Sequence, residues 1–201
     1  MGIRRSRLDI VFSGAKNMKE DNIWGMIEDL ISDNSFEVKD KKIIVVDISH
    51  VCMIQIENVK LKTGVYKIEG RGKKAKPIKV KDSPFPSPRI PDIPFTTSAT
   101  IRTNMDIAKV LKHMTSIEDN LTMTADVKSQ FVEISVSREG EEITSIISSD
   151  VKGDSAYSRY SISYLITVFK HLNPTSLEFG NRNPIKLEGK NWTFFLAPRL
   201  D

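Results

Sequence analysis

The sequence is poor in the residues on which disulfide and metal chemistry depends. It has one cysteine, Cys52, and three histidines, at positions 50, 113 and 171. A single cysteine excludes an internal disulfide framework and a cysteine-rich metal site. The histidines lie far apart and do not have the spacing of metal ligands. We therefore expect neither a metal nor another cofactor.

Catalytic motifs are also missing. There is no Gly-x-x-x-x-Gly-Lys phosphate loop, no Gly-x-Ser-x-Gly elbow and no His-Glu-x-x-His pair. Acidic pairs occur at 28–29, 118–119 and 141–142, but such pairs are typical of solvated turns and helix faces. These absences predict a protein that is not an enzyme.

Long apolar runs are absent as well. No run approaches the length that spans a bilayer, and residues 1–9 lack the apolar segment of a secretory signal. Hydrophobic residues still make up 39% of the 201 residues, which is enough for the core of one large or two small domains. We expect a soluble, intracellular protein with no membrane partner.

The charge is mildly basic and unevenly distributed. Thirty Lys and Arg residues against 26 Asp and Glu residues give a net charge of +4. Arg4, Arg5 and Arg7 form one basic cluster and residues 71–81 form another, whereas residues 21–33 are acidic. Such a surface suits a nucleic-acid partner, although many ordinary proteins share this net charge.

Periodicity predicts a repeated unit of a strand, a helix and further strands. The first unit has a helix at about 16–32 and strands at 8–12, 35–38, 43–46 and 51–56. The second has a helix at 105–115 and strands at 97–102, 121–125, 131–135 and 143–147. Residues 155–200 repeat the order with a shorter ending, and Ser161 is placed to cap the helix. Apolar helix stripes and alternating strands predict an α+β fold with helices on one face of the sheets.

The stretch 156–200 resembles the C-terminal end of the archaeal and eukaryotic DNA sliding clamps, the proliferating cell nuclear antigen (PCNA) family. Three phrases carry the resemblance: Tyr-Ser-Ile-x-Tyr-Leu from Tyr160, Leu-x-Phe-Gly-Asn-x-x-Pro-Ile-Lys-Leu-Glu from Leu177, and Phe-Leu-Ala-Pro-Arg from Phe195. Asp47-Ile-Ser-His-Val also resembles the clamp phrase Asp-x-Ser-His-Val. The resemblance implies the DNA-clamp fold, with two similar domains of antiparallel sheet.

Compared with that pattern, the first domain is reduced. Clamp subunits have four repeated units, but residues 58–81 supply only strands at 65–70 and 76–80, which we interpret as the last strands of the second unit. The implied organisation is a truncated clamp domain at 1–81, a proline-rich interdomain connector at 82–93 and a complete clamp domain at 94–201.

DNA binding is implied by basic residues on the helices. Lys109 and Lys112 lie opposite the apolar stripe of their helix, and Lys170 with His171 ends the last helix. The resemblance places these residues toward duplex DNA. The basic clusters supply Arg4, Arg5, Arg7, Arg71, Lys73 and Lys74. The first helix departs from the pattern, because its outward face carries Asp21, Glu28 and Asp29 where clamps usually place lysines, and acidic groups that face phosphates would be repelled.

Partner binding is the other role that the resemblance implies. DNA polymerases, flap endonucleases and ligases dock on clamps through a short motif with an apolar plug. The matching positions here are Val46, His50, Val51, Met53, Ala197, Pro198 and Arg199. Ring closure would use the strand edges at 76–80 and 142–147, but Pro77 removes a backbone donor from the first edge. A homotrimer, a mixed ring with other clamp subunits and a monomer all stay open, and the basic pI of about 9.1 favours the monomer.

The sequence thus predicts a PCNA-like sliding clamp, a processivity factor that holds duplex DNA non-specifically and tethers replication or DNA repair enzymes. The alternative is a clamp-interacting regulatory protein that modulates a full-length clamp or its clients without encircling DNA. The expected location is the cytoplasm or nucleoid of an archaeal-type host, or the nucleus of a eukaryote.

Overall fold

The computed structural model describes residues 4–7, 22–30, 35–47, 49, 51–80, 97–102 and 105–200. The helices are α1 (Ile23–Leu30), α2 (Met105–Met114) and α3 (Ile162–His171), with a 3₁₀ turn at Gly72–Lys74. The strands of the first half are β1 (Arg4–Arg7), β2 (Ser35–Lys39), β3 (Lys42–Val46), β4 (Cys52–Ile56), β5 (Gly64–Glu69) and β6 (Lys76–Lys79). Those of the second half are β7 (Ala99–Arg102), β8 (Asn120–Asp126), β9 (Phe131–Arg138), β10 (Glu141–Ser148), β11 (Val151–Gly153), β12 (Ala156–Ser161), β13 (Ser176–Phe179), β14 (Ile185–Gly189) and β15 (Trp192–Leu196). None of these helices is long and apolar enough to cross a membrane.

The strands form two sheets. One has five strands in the order β1-β10-β9-β8-β12, and the other has ten in the order β11-β7-β13-β14-β15-β4-β3-β2-β5-β6. In the described residues, every pairing is antiparallel except that of β1 with β10. The predicted α+β class with antiparallel sheets is confirmed.

The two halves of the chain share the ten-stranded sheet. The last strand, β15, pairs antiparallel with β4 from Trp192↔Ile56 to Leu196↔Cys52. A buried row crosses this joint in register, formed by Val45, Ile54, Phe194, Leu187, Leu177 and Ile101. Because burying one such side chain stabilises a fold by about 1.5–3 kcal/mol, this row ties the two halves into one core.

Helix α1 begins later than the periodicity predicted. Asn22 occupies the N-cap position, and its Oδ1 accepts a hydrogen bond from the Gly25 N–H at 3.1 Å. The first intrahelical bond, from Met26 N to Asn22 O, is also 3.1 Å long. Residues 16–21 of the predicted helix lie outside the described residues, as do the strand at 8–12 and the connector at 82–93. An asparagine cap satisfies helix donors that would otherwise have no partner, which explains the start at Ile23.

The cap of α3 is supplied by a distant residue. Ser161 is at the N-cap position, but its side chain makes no capping bond to the helix. Instead Asp119 accepts from the Ser161 hydroxyl at 2.6 Å and from the Ser163 N–H at 2.9 Å. Partial burial acts to raise the pKa of Asp119, but these hydrogen bonds and the charge of Arg199 outweigh it and hold the pKa below its ordinary value. The carboxylate thus sits at the positive end of the helix, where a negative charge is stabilising.

Strand pairing changes our interpretation of residues 65–80. β5 lies antiparallel against β2, as β12 lies antiparallel against β8. β12 leads into α3, whereas β5 leads into the 3₁₀ turn, and β6 then folds back on β5. β5 is therefore the counterpart of the strand before the second helix, not the final part of a second unit. The 3₁₀ turn occupies the place in chain order that α3 has in the second half.

Candidate nucleic-acid and partner surfaces

The helices and the 3₁₀ turn pack side by side and carry exposed basic residues from distant parts of the sequence. α3 packs against both α1 and α2, and α1 in turn packs against the 3₁₀ turn. Lys109 and Lys112 on α2 are exposed, as are Lys170 on α3 and Arg71, Lys73 and Lys74 at the turn. We call these six residues the basic layer. Its members come from three separate parts of the sequence, and Arg4, Arg5 and Arg7 lie elsewhere, on β1.

Within the basic layer, Lys170 forms an ion pair with Asp29. Its Nζ lies 2.7 Å from Asp29 Oδ2 on α1, although 62% of the Lys170 side chain is exposed. Partial burial acts to raise the pKa of Asp29, but hydrogen bonds from Lys170 and His171 outweigh it and hold the pKa below its ordinary value. The Asp29 carboxylate therefore stays ionised at neutral pH and offsets the charge that Lys170 presents.

His171 has a different place from the one that we predicted. Its side chain is only 4% exposed, and its Nε2 lies 2.7 Å from Asp29 Oδ2. Its Nδ1 lies 3.3 Å from the amide nitrogen of Asn22, which also donates to Gly72 O at 3.1 Å. Since the amide can only donate, Nδ1 accepts and Nε2 carries the proton that Asp29 receives. The structure thus places His171 inside the α1–α3 contact and not on the exposed face predicted for DNA.

Gly25 permits the close approach of these elements. A Cβ at this position would lie 2.9 Å from both Gly72 O and His171 Nδ1. A backbone carbonyl cannot move away as a flexible side chain can, so α1 needs glycine where it crosses α3 and the turn. We call Asn22, Gly25, Asp29 and His171, together with Lys170, the interhelix cluster.

The acidic residues of α1 are both paired. Glu28 Oε2 accepts from the Gly72 N–H at 3.3 Å, and Glu28 Oε1 lies 3.9 Å from Arg71 Nε. Sequence alone suggested that Glu28 and Asp29 would face DNA and repel it. The structure shows that each instead contacts a neighbouring basic residue, so their charge is offset locally.

A second group of residues anchors the turn between β3 and β4. The buried Asp47 accepts from the N–H groups of Val51 and Cys52, both at 2.7 Å. The Tyr164 hydroxyl on α3 donates to the other Asp47 oxygen at 3.0 Å. Burial, followed by the hydrogen bond and charge of Asp47, raises the pKa of Tyr164 to about 12. Burial and the Asp47 charge also raise the pKa of Cys52, which keeps this thiol protonated and unreactive.

This turn lies beside the end of the chain. Val46, Met53 and Phe195 are neighbours in register on adjacent strands, so they share the sheet face opposite the buried row. The Ala197 N–H donates to Val51 O at 2.8 Å, which brings the tail against the turn. We call these residues, with Pro198, the tail patch.

The tail patch contains most of the predicted partner site. Val46, Val51, Ala197 and Pro198 are half-buried, Met53 is buried and Arg199 is exposed. Arg199 reaches Asp119 at 3.6 Å, and its N–H donates to Arg159 O at 2.8 Å. His50 lies outside the described residues. Phe195 and Tyr164 were not predicted, although both belong to the phrases that carried the resemblance.

Comparison with solved structures identifies the architecture. The proliferating cellular nuclear antigen of Entamoeba histolytica matches with a TM-score of 0.66 over 89% of this chain and 94% of its own. The chain has the PCNA clamp fold. Sequence identity over the match is 15%, and no protein-family model and no curated protein matches the sequence. The likeness therefore concerns the fold, and the clamp fold agrees with the architecture that the resemblance implied.

The described part of the chain contains no group of three or more His, Cys, Asp or Glu side chains that could hold a metal ion. The basic layer and the tail patch are the two surfaces on which a functional hypothesis rests.

Proposed function

We propose that this protein is a clamp-type tether that holds duplex DNA non-specifically and carries replication or repair enzymes, without performing bond chemistry itself. The observation that carries the proposal is the basic layer: exposed lysines lie on α2, α3 and the 3₁₀ turn, which pack through α1 and α3 into one layer of a clamp fold. In this proposal the protein acts inside the cell, where its DNA is.

The basic layer suits contact with phosphates. Lys109, Lys112, Lys73 and Lys74 are exposed and come from regular or tightly turned backbone. Lysine reaches phosphate oxygens without reading base edges, as a sliding contact requires. If these four lysines each contact one phosphate, the logarithm of affinity should fall with the logarithm of salt with a slope of about −3.6. Between about 50 and 200 mM salt, affinity should then fall about 150-fold.

The tail patch suits an apolar docking segment. It offers Val46, Met53 and Phe195 on one face of the sheet, next to backbone groups of the chain end. An apolar surface of this kind accepts apolar anchors while neighbouring backbone groups pair with an extended peptide. In the proposal, DNA polymerases, flap endonucleases or ligases dock here through a short motif.

One observation favours a second function. Asp29 binds Lys170 at 2.7 Å, which reduces the positive charge that α3 presents to a phosphate. A clamp-interacting regulator would need the tail patch and the clamp fold but not DNA. The two functions differ in duplex binding, so that measurement separates them.

The deciding experiment is fluorescence anisotropy of a labelled duplex against salt concentration. Two double variants test the basic layer, Lys109→Glu with Lys112→Glu, and Lys73→Glu with Lys74→Glu. Lys128→Glu with Lys190→Glu is the matched control, since both lysines are exposed in turns outside the layer. The tether predicts that each layer variant loses affinity and that the control loses much less. Equal losses in all three, or no salt-dependent binding, would refute the tether and favour the regulator.

A further inference from the structure

Two sheet edges carry opposite charges. β10 begins with Glu141 and Glu142 and lies at one side of the five-stranded sheet. β6 carries Lys76 and Lys79, both exposed, and ends the ten-stranded sheet. Within the described residues, β6 pairs with β5 alone. An edge strand presents backbone donors and acceptors that a further strand can use.

The acidic edge is already occupied by the N-terminal segment. β1 pairs parallel with β10 in the register Arg4↔Glu141, Arg5↔Glu142, Ser6↔Ile143 and Arg7↔Thr144. Three of the four residues of β1 are arginines, so a basic strand lies against the acidic end of β10. This edge therefore accepts an added strand, and opposite charges favour a basic one.

β1 covers only the first half of β10. The pairing stops at Thr144, whereas β10 continues to Ser148. Ile146, in the half beyond β1, is 37% exposed and is one of three large hydrophobic residues exposed to this degree in the described part of the chain. The second half of the β10 edge is therefore not paired by β1.

We propose that β1 is an internal competitor, which occupies the β10 edge in place of the β6 edge of a second copy of this chain. The resemblance to clamp subunits implies that these two edges pair between copies. Charge agrees with that pairing, because β10 with β10 would bring carboxylates together and β6 with β6 would bring lysines together. Pairing of β6 with β10 is heterologous, so removal of β1 permits head-to-tail association into a ring or a chain.

Pro77 weakens the pairing of β6 with β10, which helps β1 to compete for the same edge. Proline lacks a backbone N–H, so β6 offers one donor fewer than an ordinary strand of four residues. The β1 segment also belongs to the same chain, which gives it a high effective concentration at the β10 edge. A second copy has no such advantage, so the full chain stays unassembled until β1 is displaced.

Removal of β1 tests the proposal. Light scattering across a wide concentration range gives the solution mass of the full chain and of a variant without residues 2–7. We expect the full chain at its own mass of 22.7 kDa and the deletion at two or more times that mass at high concentration. Ser6→Pro in the full chain is a second variant, since it removes a donor from β1 without shortening the chain, and it should act in the same direction. A deletion variant no heavier than the full chain would overturn the proposal, whether both are single chains or both assemble.

Charge reversal tests which edges meet. In the deletion background, Glu141→Lys with Glu142→Lys should abolish assembly, and so should Lys76→Glu with Lys79→Glu. An equimolar mixture of these two variants should regain the mass that each lost, because each supplies the charge that the other needs. A mixture that stays at the single-chain mass, with the circular dichroism melting of both variants intact, would refute pairing of β6 with β10. The assay contains no DNA, so it is independent of the proposed tether function.

Discussion

Asp29→Asn should weaken the fold slightly and strengthen DNA binding. The Asp29 carboxylate receives Lys170 Nζ and His171 Nε2, each at 2.7 Å. Asparagine has nearly the same shape and keeps an oxygen that accepts from His171, but it removes the negative charge. The substitution therefore separates the charge of Asp29 from its place in the interhelix cluster.

The loss of stability follows from the exposure of the two partners. An exposed ion pair contributes about 0.2–1 kcal/mol, and a buried hydrogen bond to a charged group about 1.5–3 kcal/mol. Lys170 is 62% exposed, so its bond belongs to the lower range. His171 is buried, but its hydrogen bond is kept, because the asparagine oxygen still accepts from Nε2 without a negative charge. We expect the free energy of unfolding to fall by about 1 kcal/mol.

The gain in DNA affinity follows from the released lysine. One further phosphate contact makes the salt slope steeper by about 0.9, which corresponds to about eightfold tighter binding at about 0.1 M salt. Anisotropy of a labelled duplex measures the affinity and the slope, and urea unfolding measures the stability. Few substitutions are expected to change these two quantities in opposite directions.

The control is Asp150→Asn, which removes the same charge from a carboxylate paired with Lys152 at 3.8 Å in the turn between β10 and β11. It changes the net charge equally but releases no lysine of the basic layer. If Asp29→Asn binds duplex no more tightly than this control, or with an unchanged salt slope, then Lys170 does not face DNA.

Three further predictions concern the clusters that hold the surfaces in place. Asp119 has a pKa below its ordinary value of 3.8, so its contribution is present above that pH and is lost as the pH falls through the lowered value. Asp119→Asn should accordingly flatten the decline in thermal midpoint as the pH falls below 3.8, and an unchanged profile would contradict this. Gly25→Ala should cost about 1–3 kcal/mol in urea unfolding, because a methyl group would meet Gly72 O, even though alanine favours helix. A stabilised variant would show that α1 can shift. Tyr164→Phe leaves an Asp47 oxygen without its donor and should cost about 1–2 kcal/mol. It should also weaken binding of a docking peptide to the tail patch, measured by calorimetry. An unchanged peptide affinity would show that the hydrogen bond between Tyr164 and Asp47 does not support the tail patch.

Regular secondary structure was largely predictable from the sequence. The stripe of Ile107, Val110, Leu111 and Met114 predicted α2, and all four residues are buried. Alternation of apolar and polar residues in 121–125 and 131–135 likewise predicted the strands β8 and β9. These signals are local, since the period of apolar residues depends only on the helix or strand geometry that a segment adopts.

Topology was less predictable. Residues 65–70 formed the expected strand, but β5 pairs with β2 and leads into a 3₁₀ turn. A single strand has the same pattern whichever neighbour it joins, so its sequence does not specify its place in a sheet. Likewise, no local signal indicated that β1 would lie on β10.

The sequence by itself determined the α+β class, the apolar faces and the set of basic residues. Only the tertiary structure decided which charges meet. Asp29 and Lys170 are 141 positions apart in the chain but 2.7 Å apart in space. His171 looked like part of an exposed basic group and is instead buried against α1. Electrostatic interaction depends on distance and burial, not on separation along the chain, so these pairings become visible only once the helices have packed.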